Sequence, residues 1–368
     1  MIPKSLLIAI ALTFMGGTAM AQSAWTGGDE LPTNPLACDA TPGKAEAKAY
    51  DGGVPQNAPD RKGKPIKVVD IPKLIGIGYF NATSKGIAEA AKELGNVEAK
   101  TDGPTQANID QQISFIDNYI TRGVDGILFA ANDPVAFAPV LKKALSKGIN
   151  VVGYDANSTP DARQWFVNQA EFNGIAKSLI DNMAKEIGED GAFAIVTSTF
   201  TTPNQARWIA EMSAYAAKCH PKLKWLETVE AQEDNVLSFN QATTLINKHG
   251  DELKGLFGMT SVATPASAEA VTQAGKCGSI AVVGLATPNA MKPYVQKDCV
   301  KSVVLWNPVD LGYAAMHVLR AVADGDLKPG ATSVKAGKLG DLQVVNGSEI
   351  LLGPPYTFTK ENIGQFDF

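Results

Sequence analysis

The polar residues with the most informative chemistry directly follow apolar segments that have the character of buried strands. Lys73 lies in VVDIPKLIGIGYF (residues 68–80), which is otherwise apolar or glycine from Ile71 onward. An ammonium group in such a segment has to reach solvent, a carboxylate or a ligand, because burying it unpaired is costly. We interpret Lys73 as a ligand contact, with a structural salt bridge to Asp70 or Asp155 as the alternative.

Other amide, hydroxyl and carboxylate side chains follow strand-like segments in the same way. They are Asn81, Asn132, Asp133, Asp155, Asn157, Thr201, Asn204, Gln205, Thr260, Ser261 and Asn307, with Tyr79, Phe80, Tyr154, Trp208 and Trp306 nearby. Such groups suit a polyhydroxylated molecule, because polar groups bond hydroxyls while aromatic rings cover an apolar face. The alternative is that these residues cap helices, except at Asp155, where a Pro-containing loop follows.

No catalytic or metal-binding pattern is apparent. The sequence has three His (His220, His249 and His317), none paired with a plausible nucleophile, and it lacks the GxSxG, HExxH, P-loop and GxGxxG motifs. No CxxC or paired Cys/His spacing indicates zinc. A binding protein without a cofactor or metal is therefore expected rather than an enzyme.

The elements that position these residues are alternating strands and helices. From Lys67, apolar runs alternate with stretches of helical period, as in a doubly wound parallel sheet. The pattern restarts after a Pro-containing break at 157–165, which predicts two similar α/β lobes with a ligand cleft between them. Residues 22–65 have no periodicity and are predicted to form an extended arm.

The N-terminus predicts export. Residues 1–21 have an early Lys4, an apolar core from Leu6 to Met15 and an A-x-A site before Gln22, as in a secretory signal peptide. A buried N-terminal helix is the alternative. We expect a periplasmic protein cleaved between Ala21 and Gln22.

Composition excludes several classes of protein. The chain has 368 residues, 45% of them hydrophobic, and a net charge of −5, enough for two domains and without a basic stripe for nucleic acid. After the N-terminus, no apolar run is long enough to span a membrane. A monomer that binds a small molecule is expected.

The four cysteines predict disulfides, because their number is even and the chain is exported. Cys277 and Cys299 each precede an apolar strand, so they would meet at one sheet edge if these strands are parallel neighbours. We therefore favour Cys277–Cys299 and, by elimination, Cys38–Cys219 among the three pairings. Four unpaired thiols are the alternative.

From Lys67 to Phe368 the sequence resembles the type I periplasmic solute-binding proteins of sugar ABC transporters, closest to the autoinducer-2-binding (LsrB) and rhamnose-binding branch. IPKLIGIGYF, DGPTQANIDQQISFIDNYITRGVDGI, ATPNAMKPYVQKDCVKSVVLWNPVDLGYAA and FTKENIGQFDF carry the resemblance. It implies two Rossmann-like lobes, a three-strand hinge and an ABC permease dimer as partner. The implied bounds are 66–158 with 308–328 for lobe 1, 162–305 with 340–368 for lobe 2, and hinges near 157–163, 304–308 and 326–342.

The resemblance carries over only part of the ligand site. Lys73 and Asp155 match the family's pattern, whereas Asn204 and Asn307 stand where the family has Asp, and Met259 and Ser261 stand where it has Pro and Ala. The loss of two carboxylates favours a neutral or anionic ligand, with Lys73 and Arg207 as cations. The predicted ligand-binding residues are Lys73, Phe80, Asn81, Asp155, Asn157, Asn204, Gln205, Arg207, Trp208, Thr260, Ser261, Trp306 and Asn307.

The first hypothesis is a transport receptor for a sugar, deoxysugar or autoinducer-2-like compound. The second is the same receptor with an anionic aromatic ligand, such as the carboxylated quinone cofactor pyrroloquinoline quinone, held by Lys73 and Arg207. A sensor subunit that presents its ligand to a receptor and an exported enzyme on the same scaffold are the remaining alternatives.

Overall fold

A computed structural model describes residues 33–40 and 48–368 of the chain. The predicted signal peptide and its cleavage site, as well as parts of the arm, lie outside these residues. The described parts of the arm, 33–40 and 48–65, contain no helix and no strand. None of the helices within the described ranges is long and apolar enough to cross a membrane.

Strands and helices alternate along most of the chain. The first set is β1 (Ile66–Ile71), α1 (Gly78–Leu94), β2 (Val97–Thr101), α2 (Ile109–Thr121), β3 (Gly126–Phe129), α3 (Pro134–Ser146), β4 (Asn150–Tyr154) and β5 (Trp165–Asn168). The second set is α4 (Phe172–Ile187), β6 (Ala192–Thr197), α5 (Pro203–Cys219), β7 (Lys224–Glu230), α6 (Asn235–His249), β8 (Leu253–Gly258), α7 (Ala263–Gln273), β9 (Ala281–Gly284), α8 (Pro288–Gln296) and β10 (Val303–Leu305). The last elements are α9 (Pro308–Ala323), β11 (Ser333–Lys335), β12 (Asp341–Val345), β13 (Glu349–Leu351) and β14 (Tyr356–Phe358).

The first sheet has the order β11-β12-β13-β5-β4-β3-β1-β2. Strands β1 to β5 are parallel, β13 continues them in parallel, and β12 and β11 add an antiparallel edge. All residues of β3 and β4 are buried, as expected for parallel strands that are covered by helices on both faces.

The second sheet is parallel, with the order β7-β6-β8-β9. Strand β10 joins it through a parallel bridge between Leu285 and Val304, and β14 pairs antiparallel with β10. The chain therefore has the predicted α/β class, with two lobes of the type I periplasmic binding protein fold.

The sheet pairing corrects part of the predicted lobe bounds. Strand β5 pairs with β4 in the first sheet, so the chain crosses at 169–171, after the predicted hinge at 157–163. A strand of four residues was mistaken for a loop. Strands β12 and β13 also belong to the first sheet, so 326–342 is not a crossing, and the chain crosses between β13 and β14 instead. It also passes from one lobe to the other between β10 and α9; the other predicted bounds stay predictions.

Both favoured disulfides are present, Cys38–Cys219 and Cys277–Cys299. Cys277 and Cys299 precede β9 and β10, which are adjacent in the second sheet. The Cys38–Cys219 bond attaches the arm to the end of α5. Farther along the arm, the Tyr50 hydroxyl donates to the backbone carbonyl of Gln164, at 2.9 Å, in the first lobe.

Helices α1 and α9 approach so closely that only glycine fits at their contact. A Cβ on Gly312 would lie 2.0 Å from the carbonyl oxygen of Thr83, and one on Gly86 would lie 1.8 Å from that of Val309. Since α1 also carries Tyr79 and Phe80, this contact fixes the position of residues discussed below.

We expect Gly312→Ala to lower the free energy of unfolding by about 2 kcal/mol. In an exposed helix the change would stabilise by up to about 1 kcal/mol, but here overpacking against rigid backbone outweighs that gain. Urea unfolding measures the difference. Gly78→Ala is the control, because the nearest atom to its Cβ is 3.8 Å away, and a Gly312→Ala protein as stable as wild type would contradict the close contact.

Candidate functional site

A cavity lies between the two lobes, at the carboxyl ends of the parallel strands, where open α/β sheets bind ligands. Nine of the predicted ligand-binding residues line it. They are Lys73, Phe80, Asp155, Asn204, Gln205, Trp208, Thr260, Ser261 and Trp306. The other lining residues are Ile77, Tyr79, Glu233, Met259, Leu285 and Leu305.

Lys73 reaches across the cavity from the first lobe to the second. Its side chain is only 3% exposed, its Nζ lies 3.4 Å from Oδ2 of Asp155, and it donates a 3.1 Å hydrogen bond to Oδ1 of Asn204. Asn132 fixes the Lys73 loop by donating from Nδ2 to the Lys73 carbonyl oxygen at 3.0 Å. Lys73 thus pairs with one of its two suggested carboxylates and also contacts the opposite lobe.

Asp155 is held in place by several donors. Its Oδ1 accepts a 2.8 Å hydrogen bond from the Tyr79 hydroxyl, which in turn accepts one from Nε1 of Trp306 at 2.9 Å. Its Oδ2 lies 3.4 Å from Nδ2 of Asn204. The backbone of Asp155 is left-handed, with φ 60°, a conformation that Asp tolerates better than most residues. The turn after β4 thereby aims this carboxylate into the cavity.

The second lobe contributes a carboxylate that the sequence analysis missed. Oε1 of Gln205 accepts from the Thr197 hydroxyl (2.6 Å) and the Ser198 amide (2.8 Å), which orients its Nε2 toward Oε1 of Glu233 at 3.2 Å. Burial raises the pKa of Glu233; Lys73 opposes that rise, whereas Asp155 adds to it. Among the described residues, the polar side of the cavity therefore holds one cation and two carboxylates, not Lys73 with Asp155 alone.

The rest of the cavity wall is aromatic and apolar. The rings of Trp208 and Trp306 lie 5.7 Å apart, and Tyr79 packs edge-on against Trp306. Nε1 of Trp208 is buried without a hydrogen-bond partner in the described structure. A buried donor without a partner is costly, so the N–H of Trp208, a residue that lines the cavity, is free to bind an acceptor.

Arg207 does not line the cavity, contrary to the prediction. Its guanidinium forms an i,i+4 ion pair with Glu211 at 2.7 Å and lies over the ring of Phe172 at 5.8 Å. Because Arg207 points away from the cavity on α5, it does not supply the second cation that the anionic-ligand hypothesis requires.

Three further predicted residues lie outside the cavity lining. Asn81 is exposed on α1, and Oδ1 of Asn157 accepts from Nε of Arg163 at 3.0 Å. Asn307 caps α9 by accepting from the amides of Val309 and Asp310. Helix capping, the alternative use of such polar residues, therefore accounts for Asn307.

Glu233 could have been found from its position. It lies in the loop that directly follows β7, so the rule that singled out the polar ends of other strands applies to it equally. The apolar lining residues Met259, Leu285 and Leu305 carry no such signal, because they resemble core residues in sequence.

A buried carboxylate behind the site provides a test of pH dependence. Asp70 accepts hydrogen bonds from the hydroxyls of Tyr154 and Thr101, both at 2.9 Å, and burial raises its pKa to about 7. Between the unfolded value near 4 and about 7, the folded protein keeps a proton that the unfolded chain loses. The free energy of unfolding therefore falls as pH rises, by up to about 1.4 kcal/mol per pH unit.

We expect Asp70→Asn to be more stable than wild type at pH 8 and nearly equal to it at pH 4. The amide keeps the shape of the side chain but does not ionise. Urea unfolding between pH 4 and 8 measures the difference, and parallel stability profiles of the two proteins would contradict the raised pKa.

The described residues contain no group of three or more His, Cys, Asp or Glu that could hold a metal ion. Two α/β lobes that enclose a cavity with polar and aromatic walls define a solute-binding protein. A model of the periplasmic binding protein domain matches residues 68–327. The chain therefore belongs to this family, and the resemblance stated from the sequence is confirmed.

Known relatives agree with this assignment. The D-ribose/D-allose-binding protein of Pseudomonas aeruginosa is 29% identical over 199 residues, which make up 52% of this chain and 60% of that protein. An ABC transporter solute-binding protein from Clostridium phytofermentas, solved with L-rhamnose, is 27% identical with a TM-score of 0.78, covering 82% of this chain and 98% of that one. LsrB from Clostridium saccharobutylicum, in complex with AI-2, shares the fold at 22% identity, with a TM-score of 0.78 and 82% and 100% coverage.

Proposed function

We propose that this protein is exported to the periplasm, binds a small polyhydroxylated solute in the cavity and delivers it to an ABC permease in the inner membrane. The contact of Lys73 with Asp155 and Asn204 carries the proposal, because it joins polar groups of both lobes at the cavity. A sugar, a deoxysugar or an autoinducer-2-like compound has hydroxyls that can form hydrogen bonds with Lys73, Asp155 and Asn204 in place of the bonds that these side chains form with one another.

Binding is proposed to proceed by hinge closure. The three crossings that residues 66–368 make between the lobes allow the lobes to rotate about this connection. A ligand that bonds both lobes favours the closed form, because it gains contacts there that the open form lacks. The ligand's apolar face would lie against Trp208 and Trp306, and the Trp208 Nε1 would donate to a ligand oxygen.

An anionic aromatic ligand is less well supported. Arg207 is paired with Glu211 outside the cavity, and Glu233 adds a carboxylate that would repel the carboxylates of pyrroloquinoline quinone. Presentation of the ligand to a sensor remains an alternative to transport, since both use the closed form.

Isothermal titration with D-ribose, D-allose, L-rhamnose, D-arabinose and autoinducer-2 tests the proposal. We expect saturable 1:1 binding of at least one of these compounds, released unchanged on denaturation. Binding of pyrroloquinoline quinone with no response to any sugar would contradict it, and turnover of the bound compound would indicate an enzyme instead.

A further inference from the structure

The charges that face the cavity do not cancel. Lys73 lies against Asp155 in the first lobe, so these two charges compensate each other. Glu233 enters from the second lobe, where its hydrogen-bond partners are the neutral side chains of Gln205 and Thr260. No Lys or Arg other than Lys73 lines the cavity within the described residues.

The backbone holds Glu233 in a specific, unfavourable conformation. Gln232 and Glu233 are consecutive residues with left-handed backbones, with φ 51° and 55°. Non-glycine residues adopt this region at a cost, and such strain is concentrated at binding sites. The turn between β7 and α6 places the carboxylate in the cavity lining, whereas the next residue, Asp234, caps α6 outside it.

We infer that Glu233 is a specificity-determining residue that restricts the ligand to uncharged polyhydroxylated compounds and rejects carboxylated ones of equal size. This inference rests on the proposed function and specifies its substrate class. A carboxylate accepts hydrogen bonds from ligand hydroxyls at full strength. A ligand carboxylate in the same place would face Glu233 and Asp155 with only the already paired Lys73 to balance it, and like charges at a desolvated site are strongly unfavourable.

The test uses D-fucose and D-galacturonate, which share the galactose ring. At C6, D-fucose has a methyl group and D-galacturonate has a carboxylate. Titration of both into wild type, Glu233→Gln and Asp234→Asn measures charge discrimination. We expect wild type to reject D-galacturonate and Glu233→Gln to lower the ratio of the two affinities at least tenfold. Asp234→Asn, which makes the same change one residue later and retains a capping side chain, should behave as wild type.

A second measurement, without ligand, tests whether the charge of Glu233 is uncompensated in the empty cavity. Lys73, Asp155, Gln205 and Thr260 surround Glu233, and its carboxylate is destabilising once it is ionised. Relative to Asp234→Asn, Glu233→Gln should raise the melting temperature more at pH 8 than at pH 4.5. A constant difference between the two pH values would contradict the uncompensated charge of Glu233 in the empty cavity, on which the inference depends.

The outcomes separate this inference from the proposed function. Tight binding of D-galacturonate by wild type, or an unchanged affinity ratio in Glu233→Gln, overturns the role of Glu233 and leaves a solute receptor intact. No binding of D-fucose or of the five compounds above, together with the pH-dependent gain in Glu233→Gln, contradicts the proposed ligands but supports the charge excess in the cavity.

Discussion

Lys73→Ala and Asp155→Ala should each weaken ligand binding about 30- to 1000-fold. Each substitution leaves the other charge, whose exposed fraction is 4% or less, without its partner inside the cavity. Truncating one member of a buried, hydrogen-bonded charge pair costs about 2–4 kcal/mol in binding. Isothermal titration with a sugar that binds wild type measures the loss.

Stability and affinity must be measured together for these variants. Breaking a buried ion pair lowers the free energy of unfolding by about 3–5 kcal/mol, so urea unfolding has to show that the protein is folded at the titration temperature. Asp155→Asn is the milder variant, because Asn also tolerates the left-handed backbone at φ 60°.

Asn81→Ala is the matched control for affinity. Asn81 is predicted to bind ligand but is exposed on α1 and does not line the cavity. The affinity of the Asn81→Ala protein for the ligand should therefore stay within about threefold of that of wild type. If Lys73→Ala and Asp155→Ala lower stability but leave affinity unchanged, the pair is a structural salt bridge, as the alternative interpretation holds.

The sequence predicted Lys73, Asp155 and Asn204 at the cavity for a physical reason. The carboxyl ends of parallel strands meet at one edge of a sheet, so polar residues just after such strands converge even when they are distant in sequence. The same reasoning failed for Asn307, because a polar residue after a strand can also be the N-cap just before the next helix, where its side chain accepts from the first backbone amides.

Arg207 was predicted incorrectly although the sequence contains its partner. Glu211 lies four residues later on the same helix, and such pairs meet on a helix surface. A local partner of this kind competes with a ligand for the guanidinium. The side-chain direction on α5, which sends Gln205 and Trp208 into the cavity and Arg207 elsewhere, depends on tertiary packing.

The lobe bounds were the least predictable part of the fold. Strand β5 has four residues and follows β4 after a Pro-containing loop, so its short apolar run resembles a linker. Strands β11 to β13 have three to five residues each and join the first sheet after the chain has left it once. Local periodicity carries no information about which of two sheets a short strand will join.

Replacing both Cys38 and Cys219 by Ser should lower the free energy of unfolding by about 5 kcal/mol. The bond links residues 181 positions apart, and a cross-link that closes a longer loop removes more conformational entropy from the unfolded chain. Cys277→Ser/Cys299→Ser is the comparison, because its bond spans 22 positions and should contribute about 3 kcal/mol. Urea unfolding of both double variants shows which disulfide contributes more to the free energy of unfolding. A larger loss in Cys277→Ser/Cys299→Ser would contradict stabilisation through the entropy of the unfolded chain.

The size of the first loss also depends on whether the arm stays bound without its disulfide. Lys177 donates from Nζ to the carbonyl oxygen of Cys38 at 2.7 Å, and Oε2 of Glu211 accepts from the Asn34 amide at 3.1 Å. If these contacts hold the arm, the full loss appears and trypsin cleaves slowly after Lys48. If the arm detaches, the folded protein gains the conformational entropy of that segment. The loss in the free energy of unfolding is then smaller, and trypsin cleavage becomes rapid. The free energy of unfolding and the rate of trypsin cleavage should therefore be measured on the same variant. Together they separate the effect of the disulfide on the entropy of the unfolded chain from the contacts that the arm makes in the folded protein.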